Sequence, residues 1–198
     1  MTPTTAAPMT ADQFCDWLDR EEPRGRNYEL LRGEVTEMPS PTRPHGYYCW
    51  LVIKALTEYV ARRGAGHLLT NDTGILVEQQ PDTLRGADVM LFLRDPTPAD
   101  IEKKYVDDLP DLVVEVISPS DRPKDVHARI NQYRARGIPL VWEVRPAERL
   151  VWVYPKTEFS KLLDDTDELT GNGTLPDLTI PVRSLFGLPP TPDTASPA

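Results

Sequence analysis

The segment Leu112-Val113-Val114-Glu115-Val116-Ile117 is the most apolar run of the chain, and it carries a single glutamate near its centre. Pro110 precedes the run and the turn-forming Ser118-Pro119-Ser120-Asp121 follows it, which predicts a strand covered on both faces. An ionised carboxylate in such a strand costs several kcal/mol unless a cation or hydrogen bonds compensate it. The sequence therefore predicts a compensating partner for Glu115.

A second acid repeats this pattern one strand earlier in the chain. Asp88 lies in the apolar segment Ala87-Asp88-Val89-Met90-Leu91-Phe92, which predicts a strand that can lie beside the first one. Two carboxylates from neighbouring strands are the ligands that a hard divalent cation prefers. Asp88 and Glu115 are therefore candidate metal ligands, with the main-chain carbonyl of Val116 as a third.

The composition indicates one globular domain of the α/β or α+β class. The chain has 198 residues with 39% apolar content, no apolar run near the length of a membrane span, and an N-terminus without the features of a secretory signal. We therefore expect a cytoplasmic protein without membrane contact. The net charge of -9 argues against a broad non-specific nucleic-acid surface, but an acidic metal site with a local basic rim is compatible with a nuclease.

The two cysteines, Cys15 and Cys49, are expected to be reduced thiols. We expect neither to have a histidine at the spacing of metal ligands, so the sequence predicts neither a disulfide nor a zinc site.

Periodicity and turn residues predict a single domain over residues 11–187 between mobile tails at 1–10 and 188–198. The predicted elements are a helix at 11–21, a hairpin of strands 28–31 and 34–38, a helix at 47–63, strands at 67–69, 72–78 and 87–93 with a turn at 79–85, a strand at 111–117, a helix at 125–136, and strands at 140–144 and 150–154.

This order of elements resembles the PD-(D/E)XK nuclease superfamily, and the chain resembles more closely the Uma-two family of bacterial restriction endonucleases. The likeness covers about residues 11–187, and the segments that carry it are Tyr28-Glu29-Leu30-Leu31-Arg32-Gly33-Glu34-Val35 with Met38 and Pro39, Arg85-Gly86-Ala87-Asp88-Val89, residues 110–120, the helix 125–133 with Gly137, and residues 142–146. It implies a restriction-endonuclease-like core, a mixed central sheet flanked by helices, with an added N-terminal helix and hairpin.

The resemblance implies an Mg²⁺-dependent endonuclease that hydrolyses phosphodiester bonds in DNA, with Mn²⁺ as a substitute ion. A homodimer would suit cleavage of both strands. The superfamily's lysine, two residues after the glutamate, is Ile117 here, and the alternative Uma-two position for it is Arg129. Because arginine keeps its proton and suits phosphate clamping better than proton transfer, Lys124 is a second candidate for the catalytic cation.

Four further residues are candidate members of the site. Glu29 and Glu34 in the hairpin could each add a carboxylate, and His45 could touch substrate at the start of a helix. Asp125 lies four residues before Arg129, a spacing that also predicts an ordinary surface ion pair.

Two other functions stay open on the sequence alone. One is a catalytically degenerate nuclease fold that acts as a nucleic-acid-binding or protein-interaction module. The other is a metal-dependent hydrolase of a small phosphoester.

Overall fold

The computed structural model describes residues 7–21 and 26–187. Its elements, in chain order, are α1 Ala11–Glu21, β1 Asn27–Leu31, β2 Glu34–Met38, α2 Arg43–Arg63, β3 His67–Glu78, β4 Thr83–Phe92, α3 Pro98–Glu102, β5 Leu112–Val116, α4 Pro123–Arg136, β6 Leu140–Arg145, β7 Leu150–Pro155, β8 Lys161–Leu163, β9 Glu168–Thr170, β10 Thr179–Pro181 and a 3-10 helix Val182–Phe186. Each described helix is too short or too polar to span a bilayer. The predicted tails fall outside the described ranges except for residues 7–10, where the Met9 N–H donates to the Gly33 carbonyl at 2.9 Å.

Within the described ranges, eight strands form one mixed sheet in the order β2-β1-β4-β5-β6-β7-β8, with β3 paired to β4. The strands β5 and β6 run parallel and are connected through α4, whereas the other pairs of this sheet are antiparallel. The predicted mixed sheet with a preceding helix and hairpin is thus confirmed.

Helices cover both faces of this sheet because alternate residues of its central strands are apolar. On β5, Leu112 and Val114 pack in one core with Leu56 of α2, while Val113 packs in a second core with Ile130 of α4. A third cluster places α1 over the hairpin. The central strand therefore has both faces covered, as its continuous apolar run predicts.

The structure corrects two predicted boundaries. The helix α2 begins at Arg43 instead of residue 47, because Thr42 accepts a hydrogen bond from the His45 N–H and Pro44 occupies the first turn. The strand β4 begins at Thr83, so the predicted turn at 79–85 is wrong in its second half. Buried Thr83 is held there by its hydroxyl, which donates to Glu78 at 2.7 Å.

The sequence prediction did not include the elements after β7, and it divided β3 into two strands. Short strands β8, β9 and β10 and the 3-10 helix follow β7, and apolar residues of this region complete the core beneath α2. The predicted strands 67–69 and 72–78 form one strand, β3, with a register shift between Thr70 and Thr73. Asn71 and Asp72 in that bulge have positive φ, of 61° and 54°.

The sheet opens at one place on the edge of β4. Along one edge β4 pairs with β3, whereas the other edge pairs with β1 at Leu84 and with β5 only over residues 89–91. Residues 86–88 therefore face a gap where β1 and β5 diverge, and the bulge of β3 lies opposite Asp88.

Candidate active site

The gap beside β4 opens into a cleft that seven elements line, namely the strands β1 to β5 and the helices α2 and α4. Its charged side chains include Glu29 on β1, His45 on α2, Asp72 on β3, Asp88 on β4 and Arg129 on α4. The main chain of β5 reaches the cleft at Val116. The cleft therefore brings together five of the predicted site residues: Glu29, His45, Asp88, Val116 and Arg129.

Asp88 is fixed at the gap by two hydrogen bonds. Its Oδ2 accepts from the Val116 main-chain N–H at 2.6 Å, and its Oδ1 lies 3.0 Å from His45 Nε2. The hydrogen bond to Asp88 is the main reason that the pKa of His45 is raised to about 11. His45 is therefore a cation at neutral pH, and it contacts Asp88 from the start of α2.

Glu115 has the compensating partners that its buried position requires. It is 1% exposed, its Oε1 accepts from the Tyr133 hydroxyl at 2.6 Å, and its Oε2 accepts from Arg129 Nη1 at 2.7 Å. Burial raises the pKa of Glu115 to about 7, while the charge of Arg129 lowers it and the charge of Asp88 raises it. The prediction of a cation or hydrogen bonds for this carboxylate is confirmed.

Asp88 and Glu115 are connected through the cleft. Asp88 lines the cleft together with Arg129, whose guanidinium donates to Glu115, and the two acids are next in sequence to the paired Val89 and Val114 of β4 and β5. The effect of the Asp88 charge on the pKa of Glu115 agrees with this placement.

Arg129 joins two carboxylates at the back of the cleft. Besides its bond to Glu115, its Nη2 lies 4.0 Å from Glu29 Oε1. The charge of Glu115 is the largest cause of a raised pKa for Arg129, so the guanidinium keeps its proton. Its Nε is buried and has no hydrogen-bond partner within the described part of the chain.

Glu29 closes the other side of the gap. Its Oε1 accepts from the Gly86 N–H at 2.9 Å and its Oε2 accepts from Arg85 Nη1 at 2.7 Å. Glu29 and Asp88 thus each satisfy one main-chain N–H, those of Gly86 and Val116, where the strands diverge.

The buried pair of Glu29 and Arg85 gives a stability prediction. Replacing Arg85 with methionine leaves the Glu29 carboxylate, 4% exposed, with only the Gly86 N–H and the more distant Arg129, and we expect a loss of about 3 kcal/mol in the free energy of unfolding. Urea denaturation measures this loss. Arg26→Met is the matched control, because Arg26 forms an exposed pair with Glu37 in the same hairpin and its removal should leave the midpoint unchanged. Equal midpoint shifts for the two variants would contradict the prediction.

Asp72 is a cleft residue that the sequence analysis missed. Desolvation and then the charge of Asp88 raise its pKa. The bulge puts Asp72 against Gly86, where any Cβ would lie 3.0 Å from the Asp72 Cβ and carbonyl oxygen. The available signal was the pair Asn71-Asp72, since asparagine and aspartate tolerate positive φ better than most residues, in a break between two apolar strand patterns.

Cys49 was also missed. It follows His45 by four residues on α2, and its Sγ lies 3.4 Å from His45 Nε2. The expectation that neither cysteine has a histidine at ligand spacing is therefore wrong for Cys49. Both cysteines are free thiols, as expected.

Four predicted candidates do not line this cleft: Glu34, Glu115, Lys124 and Asp125. Glu115 is buried and reaches the cleft only through Arg129. Glu34 is exposed at the hairpin turn, and Lys124 is exposed in the first turn of α4. Asp125 accepts from Arg122 Nε at 2.6 Å, whereas Arg129 turns inward to Glu115. The predicted surface pair of Asp125 with Arg129 is thus wrong, because the buried carboxylate competes for the guanidinium.

The donor set of the cleft fits a hard divalent cation. Each carboxylate oxygen of Asp88 and Glu115 has one hydrogen bond or ion-pair contact, so each keeps a lone pair for a metal. The acids gathered in and behind the cleft are Glu29, Asp72, Asp88 and Glu115, and the cations that contact them are His45, Arg85 and Arg129. Desolvation and the repulsion from Asp88 raise the pKa of Asp72, and a divalent cation would lower that repulsion.

Comparison with known proteins agrees with the fold. A crystal structure described as "a putative nuclease belonging to DUF820" from Anabaena variabilis superimposes with a TM-score of 0.74 at 18% sequence identity, covering 91% of this chain and 98% of that chain. At this identity the similarity shows the fold alone. No curated protein matches the chain.

The family model of Uma2, the Uma-two family, described as "Putative restriction endonuclease", matches residues 11–183. That match extends from the start of α1 into the 3-10 helix and includes every residue of the cleft. The chain therefore belongs to the Uma2 family of restriction-endonuclease-like nucleases.

Proposed function

We propose that the protein is a divalent-metal-dependent endonuclease that hydrolyses phosphodiester bonds in DNA. One observation carries this proposal: Asp88 and Glu115 lie on the neighbouring strands β4 and β5, next to the residues at which their pairing ends, and Asp88 lines a cleft that Arg129 connects to Glu115. The repulsion between Asp72 and Asp88, which after desolvation is the largest cause of the raised pKa of Asp72, supports a cation between carboxylates of this cleft.

Asp88, Glu115 and the Val116 carbonyl would hold the ion, with Mg²⁺ as the natural choice and Mn²⁺ as a substitute. When bound, such an ion supplies a water of lowered pKa and neutralises charge on the phosphate. Asp72 lines the same cleft as Asp88 and would add a further carboxylate to the site.

The roles of the chain's own residues follow from their hydrogen bonds. Arg129 stays protonated, so it would bind and orient the phosphate instead of accepting a proton. One of its terminal nitrogens bonds Glu115, while its Nε has no partner within residues 7–21 and 26–187 and is free to donate after a small rotation. His45 holds the Asp88 carboxylate and would exclude water from one side of it.

A surface for the DNA backbone adjoins the cleft. A second groove shares Met38, Pro39 and Arg129 with the cleft and continues along α4 to Arg122. The side chain of Arg122 is 83% exposed, and its Nε donates to Asp125, which leaves its terminal nitrogens for phosphate contacts. Because the groove also contains Glu37, Asp121 and Asp125, phosphate contacts there would be limited to Arg122 and Arg129.

A second candidate function rests on the same arginine. Arg129 occupies the position where the Uma-two resemblance places a lysine, and it neutralises Glu115 through a 2.7 Å contact. An ion pair that persists in the presence of Mg²⁺ would leave a nuclease fold that binds nucleic acid without cutting it.

Incubation with supercoiled plasmid separates these functions. The proposed endonuclease nicks or linearises the plasmid in Mg²⁺ or Mn²⁺ and stops when EDTA is added, and linear product would support a homodimer that cuts both strands. A binding module retards labelled DNA on a gel and leaves the plasmid supercoiled in both ions. Turnover of a small phosphodiester with an intact plasmid would contradict the endonuclease and favour a small-molecule hydrolase.

A further inference from the structure

Three potential metal ligands of different chemistry meet on one side of the cleft. His45 Nε2 lies 3.0 Å from Asp88 Oδ1 and 3.4 Å from Cys49 Sγ. One ligand atom from each of the three residues falls within 4.8 Å of the others. A nitrogen, a sulfur and an oxygen thus converge on one small volume.

Two of the three distances between these atoms are close to the edges of a tetrahedral zinc site. Typical zinc bonds of about 2.0–2.1 Å to nitrogen or oxygen and about 2.3 Å to sulfur imply ligand separations of about 3.3 Å and about 3.5 Å. The separations from His45 Nε2 to Asp88 Oδ1 and Cys49 Sγ, 3.0 Å and 3.4 Å, are close to these values. The third separation, between Cys49 Sγ and an Asp88 carboxylate oxygen, is at most 4.8 Å.

A single hydrogen bond of His45 Nε2 does not account for both of its short contacts. His45 Nε2 has one in-plane position, a proton or a lone pair, yet both Asp88 Oδ1 and Cys49 Sγ face this single nitrogen. A metal ion at the centre would bond to all three atoms at once.

The backbone holds the ligands at fixed spacing. His45 and Cys49 are one turn apart on α2, whose first turn is capped by Thr42 through the His45 N–H. Asp88 is fixed to the Val116 N–H on the neighbouring strand. His45 and Asp88 both line the cleft, so the fourth coordination position faces solvent or substrate.

We propose that His45, Cys49 and Asp88 form a binding site for a thiophilic transition-metal ion, with Zn²⁺ as the best match. Thiolate and imidazole favour such ions over Mg²⁺, which prefers oxygen ligands. Because Asp88 belongs to both ligand sets, Zn²⁺ at this site competes with the Mg²⁺ of the proposed nuclease. The binding itself does not rest on the proposed function; only inhibition of cleavage by Zn²⁺ does.

Titration with Co²⁺, a spectroscopic stand-in for Zn²⁺, tests the site directly. We expect a thiolate-to-cobalt charge-transfer band in the wild-type chain, lost when Zn²⁺ is added. Cys49→Ser should abolish the band, and His45→Ala or Asp88→Asn should weaken Co²⁺ binding at least about tenfold. Circular dichroism checks that each variant is folded.

Cys15→Ala is the matched control, because Cys15 is the other thiol of the chain and packs in the cluster beneath α1. It should keep the band and the affinity. A band that survives in Cys49→Ser, a band lost in Cys15→Ala, or no band in the folded wild type would overturn the proposal. Wild-type Co²⁺ binding that excess Mg²⁺ leaves unchanged would contradict the shared Asp88.

Failure of this site and failure of the proposed function can be told apart. A protein that never cuts DNA but shows the Cys49-dependent band keeps the zinc site and loses the nuclease. A protein that cuts DNA in Mg²⁺ but shows no band keeps the nuclease function and loses the zinc site.

Discussion

We expect Asp88→Asn to lower the rate of the proposed Mg²⁺-dependent plasmid cleavage by about a thousandfold, equivalent to about 4 kcal/mol of transition-state stabilisation. Asparagine has nearly the shape of aspartate, and its carbonyl oxygen can still accept from the Val116 N–H, so the hydrogen bond between β4 and β5 is kept. The substitution removes the negative charge that a divalent ion requires. The rate loss therefore reports on metal binding and not on the fold.

The control for this experiment is Glu34→Gln, which neutralises an exposed carboxylate outside the cleft. It should cleave at the wild-type rate. Cleavage by Asp88→Asn within about threefold of the wild type would remove Asp88 from the reaction. Equal losses in both variants would indicate that the overall charge of the protein, not the cleft, determines the rate.

Arg129→Met destabilises the metal-free protein by about 3–5 kcal/mol at pH 8. The variant leaves Glu115, 1% exposed, with only the Tyr133 hydroxyl as partner, and the methionine cannot neutralise the carboxylate. Urea denaturation in EDTA measures the change. The double variant Arg129→Met/Glu115→Gln should recover most of the loss, because no buried charge is left unpaired.

The pH dependence of this loss follows from the raised pKa of Glu115. Burial moves that pKa from 4.5 to about 7, so protonation of Glu115 favours the folded chain. This contribution is fully present below the unfolded pKa and is lost as pH rises through about 7. At pH 5 Glu115 is mostly neutral with or without Arg129, so we expect a much smaller loss there than at pH 8. A loss independent of pH, or additive effects in the double variant, would contradict the pairing.

The site residues that could be predicted best from the sequence are acids in apolar strands, because the burial of the strand determines what surrounds them. An acid in an apolar strand needs compensation wherever the strand lies, so the position of Glu115 could be predicted, and the same pattern identified Asp88. Both lie where expected because β4 and β5 are neighbours. The kind of partner was also predictable, but its identity as Arg129 depends on how α4 crosses the sheet.

The features that the sequence did not predict depend on backbone irregularity, on a buried polar contact or on proximity between distant segments. Asp72 reaches the cleft through a bulge with two residues at positive φ, and apolar alternation does not encode such a bulge. The strand start at Thr83 relies on a buried hydroxyl bonded to Glu78, so its polar composition indicated a turn instead. Cys49 was not predicted as a site residue although it follows His45 by four positions, because Asp88, which lies close to both, belongs to a strand distant in the sequence.

The central claim is that Asp88 and Glu115 serve one divalent ion. A crystal structure of the protein soaked in Mn²⁺, with anomalous diffraction used to locate the ion, tests this claim most directly. The account predicts an Mn²⁺ peak within about 2–2.5 Å of carboxylate oxygens from both Asp88 and Glu115, with Arg129 displaced from at least one Glu115 oxygen. A peak that contacts Asp88 alone while Arg129 still covers Glu115, or no peak in the cleft, would contradict it.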